Sequence, residues 1–353
     1  MPTGSYSFDD LLVNRFQTVG EFGLDTIQPV LAAELAAHNA VMEEMLAGLA
    51  ETTSDVERIY GSAVGGQMLD ADEFAVGQTQ KVAPGAEVAF PLKKKIFDLG
   101  WTNEYFLKAT VADMAIMQQN AQIAHRQEVI KEMRRAIYGS SNFSFRDRFG
   151  RVKKTLTIKR FLNADGDPIP AGPNGEVYDG ATETHYTAEA SLTAAGLTAA
   201  VDNVALKASD ASEVKIAINK ANEAAVKGLA GFEAYVDQRL LIGPDNNDPR
   251  QQLVISTPTN RPIGLFAGAE VWVKPWAEAG YAFVFDMGAP EKPLVHRVDD
   301  SAALRGLYIA AELPDHPLYA ETMEARFGFG VYNRRAGALH YFAGGSYADP
   351  SFV

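Results

Sequence analysis

Three short stretches of this 353-residue chain carry residue types that could do chemistry. Lys93-Lys94-Lys95 sets three cations side by side. Asn163-Ala164-Asp165-Gly166-Asp167-Pro168 places oxygen donors at alternate positions. Arg334-Arg335 interrupts an apolar run, in which Phe327, Phe329 and Val331 alternate with glycines or polar residues before it and Ala338 to Tyr341 follow. The spacing at 163–167 is that of a calcium loop, but such a loop needs glycine where Pro168 stands, so an Asx-rich turn is the plainer reading. The lysines are either the usual defence of an exposed strand edge or a basic patch that docks on an acidic neighbour. The arginine pair is either a solvated turn or a clamp between subunits, since a guanidinium fork grips a carboxylate through two hydrogen bonds. Residue type alone leaves both choices open.

Motifs for catalysis are missing. There is no phosphate-cradling Gly-x-x-x-x-Gly-Lys-Ser/Thr, no Gly-x-Gly-x-x-Gly, no Gly-x-Ser-x-Gly elbow and no His-Glu-x-x-His. The six histidines, at 38, 125, 185, 296, 316 and 340, stand apart in sequence. With no cysteine, disulfides and thiolate chemistry are excluded. The reading assigns no catalytic residue, no cofactor site and no metal site.

The formal charge of −13 argues against broad attachment to nucleic acid or anionic lipid. It is unevenly spread: residues 1–100 hold fifteen acids and six bases, whereas 126–160 hold eleven bases and three acids. The basic run is either a solvated helix face with a charged strand or a weak phosphate-neutralising surface. No apolar run approaches the roughly 20 residues of a membrane helix, and the N-terminus has no secretion-signal pattern. Asn142-Phe143-Ser144 matches a glycosylation sequon that no secretory route would use.

The elements that must position these residues read as a mixed α+β chain. Residues 1–25 have no clear period and suggest an extended arm. Helical spacing runs from Thr26 to about Leu49. Glycines at 61, 65 and 66 suggest a hinge, and 73–97 a long hairpin, with Phe74 and Val76 on one limb and Val88, Phe90 and Leu92 on the other. A long helix is expected from Asn103 to Tyr138, a spine crossing a sheet, since no second helix of like length is evident to pair with it. A strand at 152–161, a helix at 191–206, a strand at 214–218 and a helix opened by Asn219 follow. Short strands are expected at 253–255, 271–273 and 282–285.

In this order the elements resemble the major capsid proteins of tailed phages, with the Hong Kong 97 fold. "FGFGVYNRRAGALHYF" resembles the long terminal strand of that family's peripheral domain. "EVKIAINKANEAAVKGLAG" resembles the strand–Asn–helix unit of its axial domain, and "RPIGLFAGAEVWVKPWAEAGYAFVFDMG" the later strands. The resemblance implies an N-terminal arm with helix (1–60), an extended hairpin (61–100), a peripheral domain with the spine helix (101–188), an axial domain (189–315) and a return to the peripheral domain (316–353).

It further implies a structural, non-enzymatic shell protein that forms hexamers and pentamers of an icosahedral head around double-stranded DNA. Its partners would be itself, scaffold, portal and decoration proteins, and the packaged DNA through weak non-specific contacts, with no membrane. Its place would be the virion, assembled in the host cytoplasm. Lys93, Lys94, Lys95, Arg334 and Arg335 become candidate subunit contacts. Some relatives weld subunits through a lysine–asparagine bond beside a glutamate. The asparagine and glutamate have no match here, and that chemistry is not carried over. Two other readings remain, an encapsulin-type nanocompartment with protein cargo and a soluble α+β enzyme or binding protein.

Overall fold

The computed structural model describes residues 6–60, 70, 85–102, 104, 108–150, 153–172, 175–208, 212–235, 259–315 and 318–352. The arm is helical. Helices α1 (Phe8–Val13) and α2 (Val19–Phe22) each open on a reciprocal cap, Ser7 with Asp10 and Thr18 with Glu21. Helices this short show no period, so only the caps announce them. Leu11, Val19 and Phe22 pack with Ile27, Val111 and Ala115, which docks the arm on the start of the long helix.

Helix α3 (Leu24–Ala47) runs 24 residues with Pro29 inside it, and α4 (Val111–Tyr138) runs 28. At 1.5 Å per residue α4 is about 42 Å long. It starts at Thr110, whose hydroxyl accepts from the backbone N–H of Asp113. Asn103, the expected cap, lies outside the described residues. The expectation of an unpaired spine is corrected: α3 packs along α4, where the Gln118 amide donates to the Leu31 carbonyl at 2.7 Å. The buried face of α4 mixes Val129, Met133 and Ile137 with Gln118, His125 and Glu132. A long helix with acids and amides inside gives a blurred apolar stripe.

One sheet contains β1 (Ala50–Thr53), β4 (Lys93–Thr102), β13 (Leu294–Val298), β14 (Leu307–Asp315) and β15 (Leu318–Val331). Strand β15 pairs antiparallel with β13, β14 and β4, while β1 lies parallel to β13. A second sheet runs β7 (Tyr186–Ala188), β16 (Gly337–Tyr341), β12 (Tyr281–Asp286), β8 (Val214–Ile218), β11 (Ala269–Val273), β10 (Arg261–Phe266) and β9 (Phe232–Ala234). All six residues of β12 are buried, as suits a central strand covered on both faces. Helix α5 (Ala194–Ala205) lays Leu197, Val201 and Val204 on this sheet against Ile216, Val271 and Val284. The short α6 (Glu223–Lys227) follows a 3-10 turn capped by Asn219. The main core joins α3, α4 and both sheets through Leu46, Met133, Phe283, Phe329 and Leu339.

Two antiparallel ribbons complete the fold, β2 (Glu57–Tyr60) with β3 (Ala86–Ala89) and β5 (Phe143–Arg146) with β6 (Thr155–Ile158). Val88 faces Arg58 in register, and Val88, Phe90 and Leu92 are buried. They are therefore no limb of a free hairpin. Phe74 and Val76, like the strand expected at 253–255, lie outside the described residues. Residues 294–315 supply β13 and β14 to the first sheet, whereas β16 passes into the second instead of returning to the first.

Candidate functional site

Between β15 and β16 the chain turns, with the Ala336 N–H donating to the Asn333 carbonyl at 3.1 Å. The turn points Arg334 inward. Its side chain is fully buried, and its guanidinium is met on every side. Nε donates to the Arg160 carbonyl at 2.7 Å, Nη1 to Asp165 at 3.2 Å and Asp167 at 2.9 Å, and Nη2 to Asn163 at 3.2 Å and Asp165 at 2.6 Å. Two of the three stretches singled out above are thus halves of one site. The acid-spaced loop holds an arginine of its own chain.

The loop is shaped for this by Ala164 and Gly166, at φ of 58° and 81°, which curl it so that both carboxylates face one way. Lys159 adds a second cation, 2.9 Å from Asp167 and 3.4 Å from Asp165. Burial raises the Asp165 carboxyl, but the hydrogen bonds and charge of Arg334 outweigh it and hold it down at about 2. Among the described residues no group of side chains is arranged to hold a metal. Asn142 of the sequon spends its amide on Asp165 at 2.5 Å.

The backbone here is a turn, but Arg334 is buried in it and clamps a loop of its own chain rather than standing in solvent. Arg335 is half-buried and, among the described residues, its side chain reaches the Ala171 carbonyl at 3.5 Å. The three lysines of β4 likewise find partners at home. Strand alternation sends Lys93 and Lys95 to α4, where Lys93 meets Glu132 at 2.6 Å and Lys95 meets Glu128 at 2.5 Å and Glu132 at 2.9 Å. Lys94 pairs with Glu324 of β15. These acids lie outside residues 1–100, where partners were expected. Burial would raise the Glu132 carboxyl, but Lys93 and Lys95 bring it below the usual range. In the basic run Arg134 pairs with Glu278, Arg135 with Glu132 and Lys154 with Glu57.

Sequence reasoning missed two buried polar groups. His38 of α3 and His125 of α4 lie 3.0 Å apart through Nε2 and Nδ1, and His296 of β13 stacks on Phe329 with centroids 4.9 Å apart. Histidines far apart in sequence share one seam, which no spacing could reveal. Arg297 and Asp147 form a buried pair at 2.7 Å, and Arg297 also donates to the Phe90 carbonyl. Gly150 is required beside them, because a Cβ there would stand 2.3 Å from the Asp147 carboxylate.

No family model matches the sequence, and no curated protein matches it. Solved structures do. A chain from Mycobacterium phage Patience matches with a TM-score of 0.68 at 18% identity, over 99% of this chain and 96% of that one. A chain from the capsid of the empty GTA particle gives 0.51 at 14% identity, over 85% and 89%. The chain has a phage-capsid fold. A chain from the holo-SrpI encapsulin complex of Synechococcus elongatus PCC 7942 scores 0.44 at 10% identity, over 85% and 86%, which favours no reading. On this capsid fold, the clamp, the lysine ladder and the histidine seam all join elements within one subunit.

Proposed function

We propose that this chain is the major capsid protein of a tailed phage and builds an icosahedral head from hexamers and pentamers around double-stranded DNA. The match to the Mycobacterium phage Patience chain carries this reading, because it spans both chains almost end to end. A capsid chain of the GTA particle supports it. In Hong Kong 97 terms, the first sheet with α4 acts as the peripheral domain and the second sheet with α5 as the axial domain. The protein works by assembly rather than catalysis, in the virion, after assembly in the host cytoplasm with scaffold and portal. Phe16 of the arm fits this use, being 96% exposed where a neighbour would cover it.

Sedimentation and electron microscopy of the purified protein with scaffold test the proposal. Closed shells are expected rather than a dimer or tetramer, and species below about a dozen subunits at high protein concentration would overturn it. Absorbance of native particles at 260 against 280 nm then separates a genome container from a shell holding protein cargo.

A further inference from the structure

Arg160, just past β6, is 8% exposed, and among the described residues its guanidinium has neither a hydrogen-bond acceptor nor an ion pair. Its Nε is buried without a partner, and the guanidinium lies 4.9 Å over the Phe143 ring. The acceptors nearby are engaged elsewhere, apart from the second carboxylate oxygen of Asp349, which has no partner among the described residues. At the end of α4 the Gly139 carbonyl accepts from the Tyr186 hydroxyl at 2.9 Å, and the Tyr138 carbonyl from Tyr347 at 2.8 Å. Asp349 accepts from the N–H and hydroxyl of Ser140, and Glu132 is shared by Lys93, Lys95 and Arg135. The partial negative charge of the helix end faces the cation but supplies no acceptor. Burial accordingly pulls the guanidinium's pKa down.

Arg160 opens instead on a cavity of about 320 Å³ lined by the cations Lys93 and Arg135 and by the carboxylates Glu132 and Asp349, with Phe143, Phe329 and Phe352 as walls. A buried fork without an acceptor, in a space of ligand size, calls for an oxyanion. We propose that the cavity receives a carboxylate side chain from a second copy of this chain, seated on the Arg160 guanidinium. The second copy rests on the shell reading above. Aromatic walls admit a slender aliphatic stem, and a chain of formal charge −13 offers many carboxylates and repels nucleic acid.

The experiment begins on the free subunit, so that it does not depend on shell formation. Thermal unfolding is followed while sodium acetate replaces sodium chloride at constant ionic strength. A saturable rise in Tm with acetate is expected in the wild type and is lost in Arg160→Met. Without acetate, Arg160→Met should melt at or above the wild-type temperature, because it removes an uncompensated buried cation. A marked fall would make Arg160 an ordinary structural residue and overturn the proposal. So would a wild-type Tm indifferent to acetate, or an acetate response that appears only in Asp349→Asn, which would mean that Asp349 fills the site. In the second stage Arg160→Met subunits should assemble about tenfold more slowly than wild type. Assembly at the wild-type rate, with duplex DNA displacing acetate from the free subunit, would assign the site to phosphate and overturn the second-copy occupant.

Discussion

Arg334 and Arg335 are adjacent and chemically identical, yet the fold uses them differently. Arg334→Ala would leave Asp165 and Asp167 with Lys159 and the Asn142 amide, and should cost roughly 3–5 kcal/mol in denaturant unfolding of the free subunit. Arg334→Lys should recover only part, since a point charge cannot replace the fork. Arg335→Ala should stay within about 0.5 kcal/mol of wild type. Nothing in the sequence separates the two, because the partner loop lies 169 residues away. The signals for loop and pair were both legible, but not that each answers the other. Acid behaviour follows from the same residues. Asp165 is held at about 2 when folded against 3.8 as a free side chain, so its contribution is full above about pH 4 and is lost as pH falls through 2. The histidine seam acts in a higher window. Burial holds His296 at about 4, and burial with the charges of His38 and His296 holds His125 at about 3, whereas an unfolded histidine protonates near 6.5. The unfolded chain therefore takes up protons first, and stability present above pH 6.5 drains as pH falls toward 4 and 3. His296→Phe keeps the stacked ring and removes the proton site. Its Tm should change less than that of the wild type between pH 7 and pH 5.

At the scale of elements, periodic segments were readable and tertiary ones were not. The expected helices at 26–49 and 191–206 appear as α3 and α5 within a few residues, and β8, β11 and β12 fall where short apolar runs were expected as strands. Strand β13 was missed because His296 and Arg297 sit inside it, both buried. The lysine ladder changes what charge reversal should do. Because Lys93, Lys94 and Lys95 meet Glu132, Glu128 and Glu324 of their own chain, replacing all three by glutamate should lower the Tm of the free subunit before any assembly defect is read. An unchanged Tm would return these lysines to the role of edge defence. The glycines that alternate with phenylalanine in β15 have a cause in packing. A Cβ at Gly328 would lie 2.0 Å from the Pro91 carbonyl oxygen, and one at Gly330 would lie 2.6 Å from the Phe90 ring. Those glycines let the segment entering β4 lie directly on β15. Gly328→Ala should therefore yield insoluble protein or a large fall in Tm, although alanine is an ordinary strand residue elsewhere.

Across the whole molecule, element order was enough to recognise the architecture, but not to say which strands share a sheet. The expected boundaries followed the chain, whereas the sheets interleave distant parts of it: β1 at 50–53 lies beside β13 at 294–298, and β4 at 93–102 beside β15 at 318–331. That interleaving has a consequence for biosynthesis. Strand β15 is the shared partner of β4, β13 and β14, and β16 joins β7 to β12. A ribosome that has reached residue 317 has made nearly all the helices and strands, but has completed neither sheet. The nascent chain must hold its apolar faces unpaired until β15 and β16 emerge, and the long separations slow their closure further. Stalled chains ending before Leu318 should thus be protease-sensitive and chaperone-bound, while full-length chains extended by a linker that carries Tyr341 clear of the tunnel should become resistant in one step. The chain acquires its finished surface only after its last strands leave the exit tunnel.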